Sequence, residues 1–252
     1  MYFFISQLSI CDILLTANII PKMLQVLLNN GGTISFIDCI TQFYLFAVSD
    51  EAEYLLLTVM SYDRYVAICN PLQYTSIMTN GYCVILTIIC WMLGSCIVLT
   101  YITSIANLIF CGPNIIDHLF CDIVPILELA CSDTYIVHLE IFLVGIPAIF
   151  IPTIIIIVSY IGIVTTILTI PSNNGRKKAF STCSSHLIVI SIFYGSIFSV
   201  YIVPAKDQSS TISKVLSLLF TVFTPLVNPI IYSLRNEEIK KVIRGRKMAR
   251  IH

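Results

Sequence analysis

The sequence predicts an all-helical membrane protein, and three observations carry that prediction. Apolar residues make up 57% of the 252-residue chain, charged residues only 11%, and the mean hydropathy is +0.91, outside the range of an ordinary water-soluble domain. The apolar residues gather into six long stretches separated by shorter polar segments. The basic residues are segregated as well. Read with six crossings, eleven of the fourteen Lys and Arg fall at one membrane face: Arg64, Arg176, Lys177, Lys178, Arg235 and the cluster at 240–250. Lys22, Lys206 and Lys214 fall at the other. The excess of positive charge makes the first face cytoplasmic.

The first span covers residues 3–28 and contains Asp12; Asn29-Asn30-Gly31-Gly32 then supplies a tight polar turn. The second, 36–68, is longer than the ~20 residues a bilayer needs, so it is tilted or projects into the cytoplasm. Asn70-Pro71 ends it, because the residue before a proline disfavours helical backbone. The third span is 82–105 and carries Trp91, the only tryptophan. A polar stretch at 107–134 exceeds ordinary connection lengths and reads as a functional lid. The fourth span, 135–170, holds Pro147 and Pro152, which kink it and free carbonyls for partners inside the bundle. A basic loop at 171–178 leads to the fifth span, 179–203, and a polar loop at 204–213 to the sixth, 214–234. Beyond it, Ile239, Val242 and Ile243 share one face of a basic segment at 235–250, as in a helix lying on anionic lipid. No cleavable leader precedes the first apolar run, so the first helix serves as the insertion signal. Six crossings from an inner start return the C-terminus to the cytoplasm.

The ten cysteines divide by environment. Cys11, Cys83, Cys90 and Cys96 fall inside apolar runs as small buried residues, and Cys69 and Cys183 lie near cytoplasmic ends where disulfides do not persist. Cys39, Cys111, Cys121 and Cys131 form an even set on the oxidising side, with three pairings open to them. Zinc ligation by Cys121 with His118 is the alternative to a disulfide.

Composition also excludes functions. A nucleic-acid binder would show a basic footprint without apolar spans. Ser185 beside His186 has neither a placed acid nor an oxyanion site, and no phosphate loop, nucleotide fingerprint or metal-ligand helix occurs. The chain is therefore not read as an enzyme, and no cofactor is expected. A transporter or channel would use intramembrane acids as an ion route, but the spans show no internal repeat.

Five blocks, in order, resemble one family. The run Met60-Ser61-Tyr62-Asp63-Arg64-Tyr65-Val66-Ala67-Ile68-Cys69-Asn70-Pro71-Leu72-Gln73-Tyr74 resembles the inner end of the third helix of vertebrate olfactory receptors, rhodopsin-like G-protein-coupled receptors. Leu8-Ser9-Ile10-Cys11-Asp12 with Pro21-Lys22-Met23 is similar to their second helix. Ser159-Tyr160 is similar to the end of the fifth, and Lys177-Lys178-Ala179-Phe180-Ser181-Thr182-Cys183-Ser184-Ser185-His186-Leu187 to the start of the sixth. Pro225 through Asn236, with Asn228-Pro229-Ile230-Ile231-Tyr232, is similar to the seventh.

The resemblance implies a rhodopsin-like seven-helix bundle without its first helix. Residues 1–252 then form one receptor domain corresponding to helices two to seven and the interfacial helix after them. That start admits an incomplete gene model, a decayed gene or a truncated product, and a chain without the first helix is expected to couple or traffic poorly. A non-signalling remnant is accordingly the alternative to a working receptor.

The implied partners are a small organic odorant, a stimulatory olfactory G-protein alpha subunit with its beta-gamma pair, and the lipids of the plasma membrane, with no nucleic acid. The implied disulfides are Cys39–Cys121 and Cys111–Cys131. Asp12, Asn228, Pro229 and Tyr232 are implied as an interior activation network, with a resting-state sodium ion at Asp12 and no other metal. Asp63, Arg64, Tyr65, Tyr160, Lys177 and Lys178 are implied at the coupling face. Asp50 stands four residues past Phe46, on the same helical face. In the resembled fold that face lines the ligand cavity, opposite a stripe of Tyr194, Ile197, Phe198 and Tyr201 at helical spacing. Glu53 is read as a structural acid.

Overall fold

The computed structural model describes residues 2–202 and 210–235, and within that range the side chains of 178, 182, 201–202, 210–211, 213 and 233–235, Lys178 and Tyr201 among them, are not described. The segment at 236–250, read above as an interfacial helix, lies outside the described residues. Six long helical rods form the bundle. The first is α1 (Tyr2–Leu28), whose Phe4, Leu8, Cys11, Leu15, Ile19 and Met23 are buried at spacings of three and four. That periodicity is one helical stripe facing the bundle, while Ile13, Leu14 and Leu27 face outward. After α1 the chain reverses through Asn30 and Gly31, both at positive φ (52° and 138°), a conformation glycine adopts without penalty.

Helix α2 (Phe36–Cys69) is the central rod, capped by Ser35, whose hydroxyl accepts from the Asp38 amide. It packs on α1, α4 and α7. Among the described residues, five helices are long and apolar enough to cross a membrane, and α2 is not among them because acids and Arg64 interrupt it. Its 34 residues, roughly 51 Å at ~1.5 Å each, are nevertheless ample for a crossing. Protein rather than lipid surrounds it, so polar residues are tolerated where they find partners.

A four-residue helix α3 (Tyr74–Ile77) follows beyond the Arg64 end of α2, then α4 (Asn80–Ala106). Gly94 lets α4 approach closely: a Cβ there would meet the Glu51 Cβ at 3.2 Å and the Ala52 nitrogen at 3.4 Å. The long loop contains α5 (Ile123–Glu128). The fourth rod consists of α6 (Tyr135–Glu140), a π turn (Ile141–Gly145) and α7 (Ile146–Thr169). Pro147 lacks the N–H that would close on Leu143, and the backbone widens there.

The fifth rod, α8 (Asn173–Ile197) with a π turn at Phe198–Ile202, starts earlier than its apolar run. The basic segment expected as a loop is mostly the helix's first turns, because Ser172 caps it by accepting from the Gly175 amide at 3.3 Å. Here α8 begins before the apolar run, which a hydropathy boundary does not register. The last rod joins α9 (Ser210–Leu218), a π turn (Leu219–Phe223) and α10 (Thr224–Arg235).

Candidate functional site

Three polar centres lie along the bundle. The middle one joins three rods. The Asn228 amide nitrogen, from α10, donates to Glu53 Oε1 at 2.8 Å on α2 and to Asp12 Oδ1 at 3.2 Å on α1. All three residues are at most 5% exposed. Asp12 Oδ2 and Asn228 Oδ1 are buried without protein partners. An all-oxygen donor set with two carboxyls fits a small hard cation, so these residues suit the sodium ion expected at Asp12. No group of three or more His, Cys, Asp or Glu able to hold a metal occurs among the described residues. Tyr232 is buried nearby, but its hydroxyl has no partner, and Pro229 is exposed on the outer surface of α10.

Toward the outer side, aromatic rings fill the space between α2, α8 and the last rod. Phe46 lies 5.3 Å from Phe120 of the long loop and 6.2 Å from Phe220, which lies 6.2 Å from Phe193. Asp50, one turn inward from Phe46, is half-buried, and its Oδ1 is closed off without a hydrogen-bond partner. Tyr194 lies with its ring 5.4 Å from that of Tyr54, tilted by 47°, and both hydroxyls meet Thr153 Oγ1 at 3.0 Å. Tyr54 also donates to the Ile149 carbonyl, near where Pro152 interrupts the helical ladder.

The aromatic stripe expected on α8 sits about one residue off the true inner face. His186, Val189 and Phe193 are the fully buried positions, spaced three and four apart, whereas Phe198 is 55% exposed and points away from the interior. Ile197 is partly buried against the core. In a helix apolar on most sides, ring size is a poor guide to facing.

At the end of the bundle opposite the disulfides, Arg64 Nη2 and Nε donate to Asp63 Oδ2 at 2.8 and 3.2 Å, and the Tyr74 hydroxyl donates to Asp63 Oδ1 at 2.9 Å. Burial, then the adjacent Asp63 charge, pushes the Tyr74 hydroxyl's pKa up to about 12. Tyr65 covers Gly162, where an added Cβ would fall 2.6 Å from its ring. Lys177 is exposed, but Tyr160 is not at the surface with it: it is buried and bonded to His186 Nδ1 at 2.7 Å. Leu72, on the adjoining loop, is 97% exposed.

The long loop is tied down over the aromatic cluster. Disulfides join Cys39 to Cys121 and Cys111 to Cys131, with Cα separations of 5.5 and 5.9 Å. Gln42 Oε1 accepts from the Cys121 amide at 3.0 Å, while the Gln42 side chain and backbone exchange hydrogen bonds with Asn18.

Comparison with known proteins fixes the family. A sequence profile described as "Olfactory receptor" matches residues 1–249. The chain belongs to the olfactory receptor family. Human olfactory receptor 2A5 is 45% identical over 245 residues, 97% of this chain and 79% of that relative. Mouse olfactory receptor 5G25 is 48% identical over 244 residues, 96% of this chain and 76% of that one. Squid rhodopsin superposes with a TM-score of 0.75 at 17% identity, covering 96% of this chain and 70% of its own, which shows the shared fold. This olfactory receptor is thus a rhodopsin-like membrane protein, a signalling receptor and not an enzyme.

Several of this olfactory receptor's interior contacts were absent from the sequence reading. Glu53 belongs with Asp12 and Asn228; its place one turn from Asp50 and Glu51 marked it as buried, but nothing local named its partner. Gln42 carries a readable signal, standing three residues past Cys39 and so facing the same loop. The Tyr54–Thr153–Tyr194 and Tyr160–His186 contacts join positions from 26 to 99 residues apart, which helical periodicity does not address.

Proposed function

We propose that this protein is an odorant receptor of the plasma membrane, with a cytoplasmic C-terminus, that binds small organic ligands and activates a stimulatory heterotrimeric G protein. Residues 1–252 act as one receptor domain whose rods correspond to helices two to seven, with 107–134 as an outer lid.

The observation that carries the ligand reading is Asp50, an intramembrane carboxyl with an unpartnered, buried oxygen one turn below the Phe46–Phe120–Phe220 cluster. An unpaired buried acceptor is costly, and a ligand that donates a hydrogen bond to it removes that cost. The aromatic walls favour an aliphatic or aromatic body. The ligand is therefore an apolar molecule with one donor group, an alcohol or an amine, held among Phe46, Asp50, Tyr194 and Ile197.

Coupling runs through Arg64. In the resting arrangement Asp63 holds its guanidinium, and Tyr74 supports Asp63. Outward movement of α8 would open this face, freeing Arg64 for the alpha subunit while exposed Leu72 and Lys177 dock beside it. A G protein that binds only the open form stabilises it. Asp12, Glu53 and Asn228, with a sodium ion, would hold the resting form.

The test is a panel of amines, alcohols, aldehydes, ketones and acids, scored by cyclic-AMP production with the receptor and its Asp50→Asn form at matched surface amounts. Donor ligands should lose about tenfold or more in potency on Asp50→Asn, a charge-assisted hydrogen bond being worth ~1.5–3 kcal/mol. Equal potency of every active ligand on both forms removes Asp50 from the site.

A further inference from the structure

We propose that residues 117–120 form a proton-sensitive latch on the outer lid: neutral His118, bonded to Ser217, holds Phe120 down against Phe46, and a proton on His118 releases it. The lid is fixed to α2 through the Cys39–Cys121 disulfide and the Gln42 contact, which no mild pH change undoes. Its other side is fixed to α9, and one of the contacts there is made by a histidine. Lys214 pairs with Asp117, and His118 Nε2 lies 3.1 Å from Ser217 Oγ.

Geometry sets the protonation state of that contact. His118 Nδ1 lies 3.2 Å from the Phe120 carbonyl oxygen, which only accepts, so Nδ1 carries the proton. Nε2 of the neutral ring is then the acceptor, and the Ser217 hydroxyl donates to it. A second proton on Nε2 removes that acceptor, so the Ser217 hydroxyl keeps the contact only by turning to accept, and it places a charge beside Ser217, itself 1% exposed. The imidazole also stands edge-on to Phe120 at 4.9 Å, and Phe120 covers Phe46 at 5.3 Å. Loss of the His118 contact therefore loosens the ring that roofs the aromatic cluster.

The charges facing His118 do not reverse this sign. Asp122 and Asp117 favour its protonation and Lys214 opposes it, but burial is the largest influence and holds its pKa below the ordinary value of 6.5. A lowered pKa in the latched form means that latching is fully favoured above about pH 6.5 and weakens as pH falls below it. An unlatched, solvated imidazole near 6.5 binds a proton about ten times out of eleven at pH 5.5, which shifts the latch equilibrium by up to about tenfold.

The consequence for odorant exchange rests on the ligand reading above, but the lid's own behaviour does not. Hydrogen–deuterium exchange across 112–122, measured on the receptor in lipid nanodiscs and corrected for intrinsic exchange chemistry, reads it directly. Between about pH 7.4 and about pH 5.5 the lid amides should exchange up to about tenfold faster in the native chain. His118→Gln keeps one donor and one acceptor but does not titrate, so its lid should be protected equally at both pH values. Ser217→Ala, a second variant should His118→Gln fail to fold, should raise exchange at neutral pH and blunt the response to acid. A native lid indifferent to pH, or a response left intact by either substitution, overturns the latch. A pH-responsive lid in a receptor that no odorant activates would overturn the ligand reading and leave the latch standing.

Discussion

At the scale of single residues, the side chains that matter most are polar groups whose partners lie far away in sequence. Tyr74 is the clearest at the cytoplasmic end. Its hydroxyl donates to Asp63, and with a pKa pushed up to about 12 it stays protonated throughout the physiological range. Tyr74→Phe removes a hydrogen bond to a charged acceptor, worth ~1.5–3 kcal/mol. Because that bond supports the resting pair, basal cyclic-AMP production should rise, by up to about tenfold. An unchanged basal level at matched surface amount would show that Asp63 holds Arg64 unaided. In the middle of the bundle, Asn228→Ala strips the amide donor from both Asp12 and Glu53. Thermal stability in nanodiscs should fall by about 1–3 kcal/mol, and sodium in place of choline should raise the native melting temperature but not that of Asp12→Asn. Identical melting of all forms in both salts would dismiss the cation. These residues were partly legible: an acid in an apolar run announces a buried role. Which partner satisfies it depends on how three rods meet, and Glu53 was for that reason read only as structural.

At the scale of elements, the long loop and the close helix contacts set the geometry. The Cys39–Cys121 bridge spans 82 residues, and closing a loop of that size constrains the unfolded chain by about 4.5 kcal/mol in the chain-entropy description. Peptide mapping under non-reducing conditions should recover Cys39 with Cys121 and Cys111 with Cys131; Cys39 joined to Cys111 would contradict the lid geometry. The α2–α7 contact rests on Gly162, beneath the Tyr65 ring. Gly162→Val should destabilise by about 1–3 kcal/mol through overpacking, and Tyr65→Ala on that background should return part of the loss, as measured in a double-mutant cycle of thermal unfolding. Strict additivity would mean that the two do not touch. The rods themselves were readable from apolar runs, prolines and turn residues. The π turns among the described residues were not, and neither was the early start of α8. A π turn changes the facing of every later residue without a distinctive composition; the one at Phe198–Ile202 follows Tyr194 and Ile197, so the offset of the stripe assigned to α8 comes instead from a helix apolar on most sides.

At the scale of the whole molecule, hydropathy and charge asymmetry made the membrane class plain, and the order of five sequence blocks pointed to the family that the profile match and the human and mouse relatives show. The central rod is the instructive exception. α2 fails a test of apolarity because it carries acids and an arginine, and most of it is buried by its neighbours instead of by lipid. The outer aromatic cluster and the inner Asp63–Arg64–Tyr74 cluster are joined by this one helix, so the ligand proposed at Asp50 and the partner proposed at Arg64 would act on the same rod. The central claim is that ligand binding at the outer half of α2 is read out by Arg64 at its inner end. The most direct measurement is ligand-driven cyclic-AMP production by Arg64→Ala beside the native chain at equal surface amounts. The account predicts that the variant still binds ligand and yet gives no response above background; an undiminished response would contradict it.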